Sequence, residues 1–160
     1  MLGKNKFRII YIFITRSFAG VFLYRVERGM FLLMGKSYSY LRLLFLPIIL
    51  LIQAYSNIDI HYKASIKGGL LILHPSVGCV ISAKASIGSN LTITGGNVIG
   101  SNKKKRGDFI IGDNCTLGAN AVIIGPLELK DNIRIGASCC VTKSFEESNC
   151  NLVGVPARVL

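Results

Sequence analysis

Ile111-Gly112-Asp113-Asn114-Cys115-Thr116, Leu117-Gly118-Ala119-Asn120-Ala121-Val122 and then Ile123 form the most regular stretch of the chain. An aliphatic residue opens each group of six, glycine often follows it, and a small side chain such as Cys115 or Ala121 returns four places on. The same period continues through Leu129, Ile135 and Val141, and backward through Ile99, Ile93, Ile87 and Ile81. An earlier set, Ile60, Ile66 and Ile72, keeps the period but not the register, because Ile72 and Ile81 stand nine residues apart, a hexad plus three. His74 and Pro75 lie inside that gap.

Short β-favouring runs that repeat every six residues between Gly, Asn, Asp and Ser are a β-helix signature. Three hexads make one triangular coil, coils stack about 4.8 Å apart, and roughly five coils fit between residues 59 and 144. The hexad-opening aliphatics then form ladders in a dry interior. Periodicity establishes the coil, but neither its hand nor its assembly. The segment Ser101 to Asp108 breaks the pattern while Ile99 and Ile111 stay in phase, so it is expected to leave the prism as a loop. Its four basic residues, Lys103 to Arg106, suit a solvated turn or an arm that clamps phosphate over a site.

The chain divides by composition into residues 1–57, a helical N-terminal segment; residues 58–144, the repeat body with loop 101–108; and residues 145–160, a tail. In the first part Phe7, Ile10, Tyr11, Ile14, Phe18, Val21 and Phe22 recur at threes and fours, with a break near Gly35 and a second helix from about Tyr40 that contains Pro47. Two readings stand for it: packing against the repeat body or a neighbouring subunit, or peripheral contact of residues 1–55 with a membrane through arginines and aromatics. The longest uncharged apolar run, Leu43 to Tyr55, is too short to span a bilayer, which needs about 20 residues. Arg16 interrupts the first apolar run, which argues against a secretion signal. The expected location is cytoplasmic, with the membrane's cytoplasmic face as the place of any attachment.

A net charge of +11 among 160 residues favours anionic partners. Nucleic acid is not expected, because the basic loop offers no aromatic platform. The five cysteines include no CxxC pair and no histidine at ligand spacing, so no metal is expected, and Cys115 and Cys139 read as reduced core residues.

The hexads, the loop and the terminal Gly154-Val155-Pro156-Ala157-Arg158 resemble hexapeptide-repeat acyltransferases, and within them the serine acetyltransferase branch. The resemblance covers roughly residues 58 to 160. Its most specific part is Asp59-Ile60-His61, then His74, then Gly78-Cys79-Val80-Ile81, where Asp59 and His74 keep the fifteen-residue separation of that branch's catalytic pair. The resemblance implies a mainly β protein, a left-handed parallel β-helix with a short α-helical N-terminal segment, assembled as a homotrimer with sites between prisms. It also implies acetyl-CoA as co-substrate, with Gly100, Ala119 and Ala137 along the pantetheine arm and Lys143 and Arg158 near the phosphates.

Acetyl transfer from a thioester to an alcohol needs a base for the hydroxyl proton and donors for the developing oxyanion. His74 is the expected base, Asp59 the group that orients its ring, and the N–H groups near Gly95-Gly96 the expected donors. His61 is expected to be structural. Serine acetyltransferases carry an aspartate before the catalytic histidine and an arginine-histidine pair after the loop; here stand Leu73, and Gly107, Asp108 and Phe109. On that ground a sugar hydroxyl in capsular or surface-polysaccharide biosynthesis is the favoured acceptor, with serine O-acetylation in cysteine biosynthesis and a non-catalytic trimeric scaffold as alternatives. Two histidines exclude the three-histidine zinc site of a hexapeptide-coil carbonic anhydrase.

Each ladder aliphatic contributes about 1.5 to 3 kcal/mol by burial. Ile87→Asp or Leu117→Asp therefore abolishes folding rather than modulating activity, which circular dichroism and the soluble yield will report.

Overall fold

The computed structural model describes residues 12–101 and 109–160. Lys4, Lys6, Arg8 and the start of the first expected helix lie outside these residues, as do 102–108, which hold most of the expected loop.

The described strands coil into a left-handed parallel β-helix with three sheets. Sheet A stacks β1 (Ile58–Ile60), β4 (Cys79–Ile81), β7 (Asn97–Ser101), β10 (Val122–Gly125) and β13 (Cys140–Val141). Sheet B stacks β2 (Ser65–Ile66), β5 (Ala85–Ile87), β8 (Phe109–Ile111) and β11 (Leu127–Leu129). Sheet C stacks β3 (Leu71–Ile72), β6 (Thr92–Ile93), β9 (Thr116–Leu117), β12 (Arg134–Ile135) and β14 (Asn151–Val153), and β15 (Arg158–Val159) returns antiparallel on β14.

The hexad aliphatics lie in register. Ile60, Ile81, Ile99, Ile123 and Val141 pair in turn on sheet A; Ile66, Ile87, Ile111 and Leu129 on sheet B; Ile72, Ile93, Leu117, Ile135 and Leu152 on sheet C. All of them are buried. The fifth place of the hexad is buried too, by Ala64, Ala85, Cys115, Ala121 and Cys139, whose small side chains let the corners close. Burial raises the thiol pKa of Cys115 and Cys139 and pushes that of Cys79 up to about 12, so these cysteines stay protonated core residues. Glycine at the second place has a steric cause at Gly88 and Gly112. A side chain on either would collide with the carboxylate of Asp113 or Asp131 on the next coil. Those carboxylates instead accept the Ser89 and Asp113 N–H groups, each at 2.7 Å.

Coil length varies only at corners. Ile60 to Ile81 takes 21 residues, Ile81 to Ile99 takes 18, and Ile99 to Ile123 takes 24. The extra three form the 3-10 turn Pro75–Val77, and the extra six fall between β7 and β8.

Among the described residues two long helices precede the coil: α1 (Arg16–Met34), whose N-cap Thr15 accepts from the Phe18 N–H, and α2 (Tyr38–Ser56), which contains Pro47 and stops at Asn57 in the left-handed region. They fold back on each other, since Tyr55 reaches the Ile14 carbonyl at 2.7 Å and Arg42 reaches Glu27 at 2.6 Å. Their attachment follows from the edge of the first coil. An edge strand presents N–H and C=O groups with no partner, and these must be satisfied if covered. Side chains of α1 do so: Tyr24 Oη accepts the Ile66 N–H at 3.2 Å and donates to the Ala64 carbonyl at 2.9 Å. Arg25 donates to the Ile66 and Lys67 carbonyls, Arg28 to Lys63, and Ser17 to Ile72.

Glu27 is 3% exposed and accepts from both Arg42 and Tyr38, and burial pushes the Tyr38 phenol up to about 12. Glu27→Ala strands both donors, a loss of about 3 kcal/mol, the lower end for a buried pair because Arg42 keeps 27% of its side chain in solvent. Urea unfolding will measure it.

His61 sits at the same junction, stacked on Tyr62 at 4.5 Å, with Nδ1 accepting the Lys63 N–H at 3.1 Å. Burial, then Lys63 and Arg42, lower its pKa below the ordinary 6.5. Below 6.5 the unfolded chain takes up a proton that the folded chain resists, so stability is full above that pH and falls as the pH drops through the folded pKa. A thermal midpoint that declines below neutrality, and declines less in His61→Asn, is the expected outcome.

Candidate active site

The coil brings the sequence-distant candidates together along one edge of the prism, where sheet C turns into sheet A. Successive levels of this edge are the turn at His74 to Gly78, then Gly95-Gly96, then Ala119-Asn120, then Ala137-Ser138, then Gly154 to Ala157. Backbone bonds tie the levels. His74 N–H donates to the Thr94 carbonyl at 2.8 Å, Gly96 N–H to Gly78 at 2.7 Å, Asn120 N–H to Gly95 at 2.9 Å, Ser138 N–H to Ala119 at 2.8 Å, and Cys140 N–H to Gly154 at 3.1 Å. Each upper level holds a residue in the left-handed region, Gly96 (φ 69°), Asn120 (58°), Ser138 (55°) and Gly154 (88°). Glycine and asparagine tolerate that backbone, which is why such residues recur here. Four coil spacings give the edge a length of about 19 Å.

His74 is exposed at the first level, and its ring makes no hydrogen bond among the described residues. The three extra residues push it clear of the ladder, and the following turn is fastened by Asn57, whose Nδ2 donates to the Ser76 carbonyl at 2.9 Å. Asp59 lies two residues beyond Asn57 on the outer face of β1, at the same end of the prism. Its carboxylate accepts from Gln53 Nε2 of α2 at 3.2 Å, not from His74.

Ala119 and Ala137 stand one above the other on the edge, and both reach the surface at least in part. Gly100 is elsewhere: it pairs with Ile124 at the far end of sheet A's strands. Lys143 is exposed on that far side, over the Phe145 ring at 5.4 Å. Arg158 is exposed in β15, directly after the Gly154 to Ala157 turn that tops the edge. The oxyanion donors expected at Gly95 and Gly96 need correction. Gly95 N–H donates to Asn97 Oδ1 at 2.8 Å and Gly96 N–H to the Gly78 carbonyl, so both are spent inside the prism.

Sequence reasoning missed Arg16. It begins α1 beside the His74 turn, with Nη1 3.5 Å from Ser76 Oγ and the guanidinium 5.8 Å from the Tyr55 ring centre. A groove of about 600 Å³ opens there, lined by Thr15, Arg16, Ser17, Tyr55, Leu73 and Pro75. The signal was available in the sequence: a lone cation inside an apolar run.

The family model described as hexapeptide repeat of succinyl-transferase matches residues 109–143. A serine acetyltransferase of Staphylococcus aureus is 35% identical over 108 residues, 66% of this chain and 50% of that protein. The chain therefore spans about half the length of the curated relatives it matches. Among solved structures, serine acetyltransferase from Neisseria gonorrhoeae superposes with a TM-score of 0.76 at 28% identity, over 92% of this chain and 55% of that one. The soybean apoenzyme gives 0.75 at 27%, over 91% and 57%. A serine acetyltransferase in complex with CoA shares the fold at 0.72 and 24%, over 91% and 58%.

These likenesses overturn the expected sugar acceptor of polysaccharide assembly, since the matched relatives and structures are serine acetyltransferases. That expectation rested on polar groups missing beside His74 and after the loop. A missing contact identifies what one position does not hold, and says nothing of which hydroxyl arrives. Residues 109–143 match the hexapeptide repeat, the body coils as a left-handed β-helix, and over that body the chain is similar in sequence and fold to serine acetyltransferases.

Proposed function

We propose that the chain transfers an acetyl group from acetyl-CoA to the hydroxyl of serine. The observation that carries this reading is the single edge on which His74, Ala119, Ala137 and the Gly154 to Ala157 turn are stacked, with His74 exposed at one end. Small side chains leave room for an extended pantetheine arm along the edge, and Arg158 beside its upper end suits the nucleotide phosphates. The relative solved with CoA has the same fold.

In the reaction, His74 accepts the serine hydroxyl proton as the oxygen attacks the thioester carbonyl. The C–O bond forms, the C–S bond breaks, and the proton passes from the imidazolium to the departing sulfur, giving O-acetylserine and free CoA. Arg16, in the groove beside His74, holds the serine carboxylate. Asp59 orients the imidazole from a neighbouring face once Gln53 releases it. A homotrimer suits this reading. Val80 and Val98, in register on the outer face of sheet A, are 43% and 39% exposed, an apolar stripe flanking the edge that a second prism would cover.

Thiol release from acetyl-CoA with serine as acceptor tests the proposal. His74→Ala is expected to lower kcat by about 10² to 10⁴, with the melting temperature unchanged because the ring is exposed. Arg16→Gln is expected to raise KM for serine more than it lowers kcat. An active His74→Ala protein, or CoA binding without serine turnover, would sink the reading.

A further inference from the structure

The geometry points to the α1–α2 hairpin as an in-plane anchor for an anionic lipid bilayer, a property independent of the acetyl-transfer reading. Its polarity is inverted relative to a helix pair that caps a soluble domain. The polar side chains Ser17, Tyr24, Arg25 and Arg28 face inward, spent on the backbone of the first coil, and Glu27 is buried against Arg42 and Tyr38. The apolar ones face out: Leu33 is 88% exposed, Leu44 75% and Leu51 71%, with Leu32, Leu43 and Ile48 also exposed. An apolar groove of about 500 Å³, lined by Phe18, Phe22, Val26, Leu51 and Ile52 among others, opens between the helices. Exposed apolar surface that spans two helices needs a cover.

Charge chooses the occupant. Residues 1–56 contain eight basic residues, Lys4, Lys6, Arg8, Arg16, Arg25, Arg28, Lys36 and Arg42, against one acid, Glu27. That acid is 3% exposed. A second copy would bring together two segments that each carry eight basic residues against one acid, whereas an anionic membrane supplies both the apolar medium and the opposite charge. The hairpin lies flat and does not cross. Bonds from Ser17 to Arg28 pin α1 along the first coil, so the outer face sinks only about 5 to 10 Å into one leaflet.

The purified chain is sedimented with vesicles of phosphatidylcholine, alone or mixed with phosphatidylglycerol. Binding to the anionic vesicles is expected, weakened several-fold as salt rises from about 0.1 to about 0.5 M. Leu44→Glu with Leu51→Glu is expected to lower the bound fraction by about tenfold while leaving circular dichroism unchanged. The chain has no tryptophan, so Leu44→Trp supplies a single reporter whose emission shifts to the blue on anionic vesicles. A chain that ignores anionic vesicles but forms an assembly that the double variant breaks would mean that a second copy covers the face, and would overturn the proposal. So would a double variant that binds as the parent does, or a reporter whose emission does not move.

Discussion

Parallel strands stacked in register fix the height and phase of every coil, and the rest of the molecule is arranged around that constraint. The ladder from Ile60 to Val141 tolerates no slip, because one residue of shift would turn each buried aliphatic outward. Extra chain can enter only where the ladder is absent, at the corners. Both departures are found there, three residues at Pro75–Val77 and six between β7 and β8. The first of them frees His74 from the lattice while the flanking strands stay paired, so rigidity of the stack and exposure of the base come from the same feature.

The repeat body was legible because its rule is local and periodic. Ile87, Ile111 and Leu117 announce their own burial by spacing alone, and the nine-residue step at His74 announces a bulge. Longer-range outcomes were not legible in this way. That Gly95 and Gly96 spend their N–H groups on Asn97 and Gly78 depends on neighbours within a coil and one coil below, which no period encodes. Gly100 shared the small-residue signal of Ala119 and Ala137, yet only the coil's geometry separates it from their edge. Arg16 was visible as an interruption, but its neighbourhood beside the His74 turn depends on how α1 docks.

The helical segment resisted the sequence for a related reason. Amphipathic patterns are ordinarily read with the polar face outward, and α1 reverses the convention because its polar groups have backbone to satisfy. The first coil offers Ile66 and Ile72 with unpaired polar groups, and a covered edge without partners would be unstable. Tyr24, Arg25 and Ser17 meet that demand, and apolar residues of the other face, Phe22 and Val26 among them, are left facing outward. The same demand explains why helices with so much apolar surface can sit on a β-prism at all.

The two ends of the prism share a further consequence. A stack of parallel coils is a template: each exposed terminal coil could receive another copy and lengthen without limit, as fibrils do. Here the first coil's backbone is occupied by the side chains of α1, and at the other end β15 runs back antiparallel over β14, so the last strand of sheet C meets a reversed partner instead of a parallel one. Parallel growth is thus interrupted at two places, by the helical cover on the first coil and by the reversed strand on the last strand of sheet C.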